Sequence, residues 1–293
     1  QGSLTVGAQA VVVLGQVLAR CGNSGRSPQP HLHMHVQVGA WLGAPTRPFH
    51  LAHVIAQPGG EKRLFLDYLP AEATTLAAPR PNPVLARALH RAVGRSFTYA
   101  LEGEGRTLTV RVELDLHGAT WLVSERGARI ALTETDALIA LHTRQGAVDP
   151  AFDAFVLTAT LTPLCEEALV WRDAIPLTWL PTPWWLGALA WLLPGVLRVE
   201  SRYARRWEPL RRCWEQEVTH QVGWGGYLLW SCRGVVELSE ALGWTRFRVQ
   251  GSTGGVEGRL VSHGLQADHG ISGWRQLIGG EVLLPAATPG GGG

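Results

Sequence analysis

The stretch TLTVRVELDL alternates without a break: Leu108, Val110, Val112, Leu114 and Leu116 fall on one face, and Thr107, Thr109, Arg111, Glu113 and Asp115 on the other. A two-residue period lets a strand bury one face and wet the other, so it predicts an antiparallel strand turned at Gly118. Shorter apolar runs at 121–124, 130–133, 137–142 and 154–161 read as further strands, as do the runs between glycines from 196 to 282. Ahead of them, 4–6, 10–14, 16–20 and 31–38 read as short strands joined by glycines, with no helical period. One segment breaks the pattern. In NPVLARALHRAVG, Asn82 is placed to cap a helix, Pro83 takes its first position, Gly94 stops it, and Val84, Leu85, Leu89 and Val93 form an apolar stripe.

These elements predict a mainly β chain in two parts. Residues 1–57 form a first β unit and 58–62, within AQPGGEK, a linker. Residues 63–287 form a second, antiparallel unit of sandwich or barrel-like type with a short helix, and 288–293 a glycine-rich disordered tail. Composition agrees: 293 residues at 46% hydrophobic can bury one large core or two modest ones, and 35 Gly with 18 Pro favour many turns over long helices. Charge narrows the partners. A net charge of +2, with Lys62 the only lysine, leaves no field of the kind that binds nucleic acid. Cys21, Cys165, Cys213 and Cys232 have no C-x-x-C spacing, which argues against a zinc ribbon or a thioredoxin-type motif. They read as free thiols, with a Cys213–Cys232 disulfide as the alternative.

Residues 174–197 carry no charge over 24 positions, enough on paper to cross a bilayer, but prolines at 176, 181, 183 and 194 interrupt them. The longest stretch without proline, 184–193, is too short to span. The segment reads as buried or interfacial. Its tryptophans, with RYARRW and Arg211 and Arg212 beyond, make membrane association the alternative.

The candidate chemistry lies in CGNSGRSPQPHLHMHV, where His31, His33 and His35 fall on alternate positions and so share one face of a strand. Neighbouring imidazoles at that spacing can divide metal binding and proton transfer between them. In VLGQVLARCGNSGRSPQPHLHMHVQ, the residues Gly15, Gln16, Gly22, Asn23, Ser24, Gly25, Ser27, Pro30, His31, Leu32 and His33 match a motif. The segment resembles the closing half of the catalytic core of lysostaphin-type zinc metallopeptidases, which cut peptide cross-links in bacterial peptidoglycan. The resemblance covers residues 1–57. It implies His33 as a zinc ligand, His31 as the histidine that polarises the attacking water, and Asn23 and Ser24 on the substrate side; His35 receives no role.

The family's other ligands come from an upstream H-x-x-x-D segment and a Y-x-H segment, and no histidine here is followed four residues later by aspartate. His263, Asp268 and His269 are the only substitutes in view. The resemblance therefore implies a fragment of a zinc metalloendopeptidase with an incomplete zinc site, inactive alone, whose missing half precedes Gln1. Its partners would be peptidoglycan peptides and its place the cell envelope, periplasmic or anchored to the inner membrane. The alternative is a non-catalytic envelope-binding or regulatory protein that keeps the peptidase fold. A biotinyl or lipoyl hairpin, which VGAQAVVVLGQVLA also resembles, would need a lysine, and none precedes Lys62.

Overall fold

In a computed structural model the chain is described over residues 3–265, except 8, 14, 24–27, 32, 42, 58–59, 73, 252–253 and the side chain of Leu265. It divides into two compact units, one of Gln1–Ala52 with Asp67–Glu72, the other of His53–Leu66 with Ala73–Gly293. The architecture is mainly β.

In the first unit β1 (Val36–Gln37) pairs antiparallel with β2 (Thr46–Arg47). Residues 3–5 lie along 17–20 through Ser3 Oγ to the Arg20 carbonyl (3.2 Å) and Thr5 N to that of Leu18 (2.9 Å). The chain turns between them at Gly15, whose φ of +81° favours glycine, while the Gln16 side chain accepts from Val13 N (3.0 Å). The sequence expectation of four strands is corrected here: among the described residues of 4–20 none is strand, and 31–38 yields only β1. Short apolar runs mark residues that would bury, but a ladder needs neighbouring strands, and this unit buries only Ala44 among its described residues.

The second unit begins with β3 (Val54–Ala56), β4 (Arg63–Phe65), β5 (Leu76–Ala77) and α1 (Pro83–Leu89). A meander follows: β6 (Arg95–Leu101), β7 (Thr107–Leu114), β8 (Thr120–Ser124), β9 (Ala128–Glu134) and β10 (Leu138–Gly146). Then come α2 (Pro150–Ala159), β11 (Leu161–Pro163), β12 (Leu169–Asp173) and α3 (Trp184–Leu192). The chain ends its described course in long strands, β13 (Arg198–Glu208), β14 (Cys213–Trp224), β15 (Tyr227–Ser239), β16 (Gly243–Gly251) and β17 (Gly254–Leu265). One sheet takes them all, in the order β11-β10-β9-β8-β7-β6-β17-β16-β15-β14-β13-β12-β4-β3-β5. Every pair is antiparallel except β12 with β4.

β11 and β12 stand at opposite ends of a run of twelve strands, yet only residues 164–168 separate them, so the sheet curls until its ends meet. Buried Arg205 on β13 holds that seam. Its guanidinium donates to the carbonyls of Pro163, Cys165 (2.8 Å) and Glu167 (3.0 Å) and lies over the Trp214 ring, 5.0 Å from its centroid. The barrel-like expectation is thus met by a single curled sheet.

Helix α2 fills the curl. Asp149 caps it by accepting from Phe152 N, and Phe152 and 154–159 are all buried. Phe155 meets the rings of Tyr99, Trp244 and Phe247 at 5.4–5.7 Å. Close approach requires Gly234 on β15, where a Cβ would lie 2.8 Å from Thr158 Cγ2 and 3.0 Å from Val218 Cγ1. The sequence reading of 154–161 as a strand is corrected: a helix whose residues 154–159 are all buried presents almost no polar face, so its 3.6-residue period is hidden.

Helix α1 forms as expected, with Asn82 Oδ1 accepting from Leu85 N at 2.9 Å. It buries Leu85 and Leu89 but leaves Val84 and Val93 exposed, and it ends before Gly94. β7 buries Leu108, Val110 and Val112, whereas Leu114 and Leu116 are exposed because the chain leaves the sheet at Asp115. That carboxylate accepts from the backbone N–H of His117 and Ala119 and from Trp121 Nε1, closing the turn at Gly118. All four cysteines are free. Cys232 pairs across the ladder with His220, seven positions along β14 from Cys213, so the Cys213–Cys232 disulfide is not formed.

Candidate functional site

His31 and His33 do come together. Their rings meet edge to face with centroids 4.6 Å apart and Nε2 atoms 2.7 Å apart, and both are exposed. His31 Nδ1 lies 2.9 Å from the Gln29 carbonyl. A carbonyl only accepts, so in the neutral ring Nδ1 carries the proton and Nε2 presents a lone pair. His33 Nε2–H then donates to it. An imidazole that donates one N–H to a carbonyl is held in a single tautomer and orientation, and His31 has that support.

Two nitrogens bound to one tetrahedral zinc at about 2.0–2.1 Å stand about 3.3 Å apart. The observed 2.7 Å is a hydrogen bond, and the rings would swing apart by a few tenths of an ångström to share an ion. No third ligand joins them: among the described residues no group of three His, Cys, Asp or Glu side chains converges. The described residues therefore do not by themselves make a zinc site. His35 is exposed, just before β1, and Asn23 is exposed. Ser24 lies outside the described residues, as do Asp268, His269 and the 288–293 tail; His263 sits exposed on β17 opposite Phe97. In the same unit His50 Nδ1 pairs with Asp67 Oδ1, an exposed contact between two segments distant in sequence.

The second unit holds a different histidine. His220 is fully buried, its Nε2–H donating to the Leu157 carbonyl at 3.0 Å and its Nδ1 accepting from Ser201 Oγ at 2.8 Å. Burial lowers its pKa to about 4 and raises that of Cys232, opposite it, to about 12. Serine, histidine and thiol thus sit side by side without a usable nucleophile. The imidazole stays neutral, the thiol keeps its proton, and both are buried within the fold. The hydrogen bonds of His220 with Ser201 and the Leu157 carbonyl tie β13 and β14 to the end of α2.

Compared with protein-family models, with curated proteins and with solved structures, the chain matches none.

A cleft of about 590 Å³ opens beside α2, walled by Val156, Leu157, Trp179, Trp230 and Val249. At its rim Arg144 is engaged by Asp153 (2.7 Å) and by the carbonyls of Gln145 and Ala147, so it offers no free cation. The arrangement suits apolar contact rather than acid–base chemistry. Sequence reasoning missed this cleft, because its walls come from α2, β15, β16 and the loop before α3.

Proposed function

We propose that the first unit is the closing part of a lysostaphin-type peptidase core, in which His33 is a ligand and His31 the water-polarising histidine of a zinc site completed by a further polypeptide segment carrying the family's H-x-x-x-D ligands. The observation that carries the reading is the convergence of His31 and His33 Nε2 atoms on one exposed point, with the His31 Nδ1 proton held by a carbonyl. A second supports it: Val11, Val12 and Val13 stand 92%, 46% and 72% exposed, an apolar run left uncovered in this chain. On this reading the parent enzyme cuts peptides of bacterial peptidoglycan in the cell envelope. The chain alone supplies two imidazoles and catalyses no hydrolysis.

Zinc titration of the chain, with and without a polypeptide carrying the family's H-x-x-x-D segment, tests this. The chain alone should bind zinc weakly and release no muropeptides, and the complemented protein should hold one zinc tightly and turn over. His33→Ala should abolish zinc and turnover together, whereas His31→Ala should keep the zinc and lower turnover by about 10²–10⁴-fold. A tightly bound zinc in the chain alone, or complementation indifferent to both substitutions, contradicts the reading.

The alternative, a non-catalytic envelope-binding protein, is favoured by one observation, that no third ligand accompanies the pair among the described residues. Complementation that restores neither zinc nor turnover would select it.

A further inference from the structure

Helix α3 is built the wrong way round for a helix facing water. It buries only Leu186. At 100° per residue Trp191, Trp184, Ala188, Leu192 and Trp185 fall within an arc of about 120° on the opposite side. That outward arc carries no charge and three tryptophans, with Trp184 84% and Trp191 80% exposed. A water-facing helix places charged residues there.

A second element adds to it. Residues 193–197 join α3 to β13, whose first residue, Arg198, pairs with Gly223, next to the β14–β15 turn. At that turn Trp224 and Leu228 are exposed and Tyr227 is 78% exposed. At roughly 200 Å² per aromatic side chain, Trp184, Trp191 and Tyr227 alone expose about 500 Å², the upper range for the largest apolar patch of a monomer. No acidic residue occurs in 174–199 or 218–236, and Arg198 is exposed at the patch.

We propose that α3 and the β14–β15 turn form a docking surface for a lipid bilayer, with α3 lying in the interface and Arg198 at the headgroups. Tryptophan and tyrosine favour this zone because each joins an apolar ring to a polar N–H or O–H. A protein partner of comparable area would be expected to meet a polar rim, whereas here the uncharged segment runs on past the patch. The helix is about 14 Å long, against a hydrocarbon core of about 30 Å, so it lies on the membrane. No helix among the described residues is long and apolar enough to cross one.

Flotation of the full chain with vesicles of phosphatidylcholine, and of phosphatidylcholine mixed with phosphatidylglycerol, tests the proposal. The chain should float with both, with a preference of about fivefold for the anionic vesicles from Arg198. Trp184→Ser and Trp191→Ser should each weaken partitioning about tenfold without lowering the unfolding midpoint, as should Tyr227→Ser. Val11→Ser with Val13→Ser should leave it unchanged. Hydroxyl-radical footprinting of the unsubstituted chain reads the same surface without any variant: vesicles should protect Trp184, Trp191 and Tyr227. Absence of flotation, flotation unaffected by the tryptophan substitutions, or protection that arises from protein concentration alone would each overturn the proposal, the last in favour of a protein partner.

Discussion

Val11 and Val13 in the first unit lie in the continuous apolar run 10–14, and Val110 and Val112 in the second in a strictly alternating one, yet the first two are 92% and 72% exposed and the others 1% each. The difference lies in what surrounds them. Val110 and Val112 belong to a strand paired on both sides and covered by a buried helix, so their face is removed from water twice over. Val11 and Val13 lie beside the turn at Gly15, in a unit that buries only Ala44 among its described residues. An apolar run therefore states only that burial would be favourable, and the topology decides whether it happens.

Several substitutions sharpen that contrast, beginning in the sheet unit. Phe155→Ala removes a ring packed against Tyr99, Trp244 and Phe247, and should cost about 3–5 kcal/mol in urea unfolding. A loss below about 1 kcal/mol would mean that α2 is not the centre of the core.

Acid acts on the same unit through His220. Burial sets its folded pKa near 4, below the ordinary 6.5, so between these values the unfolded chain binds the extra proton. Stability is full above about pH 6.5 and falls as pH drops towards 4, by about 3 kcal/mol in all. His220→Gln should flatten that segment of the curve, and an unchanged slope would remove His220 as its cause.

Smaller effects follow at the edges. Asn82→Ala takes the cap from α1 and its donation to Glu240 (2.9 Å), and should cost about 1–2 kcal/mol. Val11→Ala and Val13→Ala should each stay within about 0.5 kcal/mol of the parent chain, since little is buried at either position. A cost there above about 2 kcal/mol would show that the first unit has a core of its own.

The strands 120–124, 128–134 and 138–146 and the capped helix α1 were legible in the sequence, because each carries its period and its stop signals locally. Helix α2 was not, since the burial of 154–159 erased its period; Asp149 followed by Pro150 was the local signal that could have revealed it. The long strands β13–β17 were seen only as short runs between glycines, because Gly234 and Gly258 punctuate the sequence while serving close packing inside continuous strands. At the site, His31 and His33 were legible as a pair from H-x-H. The direction of the hydrogen bond between them was not, because it rests on the Gln29 carbonyl. The outward tryptophans of α3 were visible as a charge-free segment, but only the burial of Leu186 alone fixes which side faces out.

Hydrogen exchange resolved by peptide measures the difference between the units directly. Amides of α2 and of β14–β16 should exchange slowest, at the free energy of global unfolding, and amides of 9–13, 15–23 and 33–41 should exchange with little protection. Protection in 15–23 or 33–41 equal to that of β14 and β15 would contradict the account, because it would require a stable core where the structure places exposed apolar side chains.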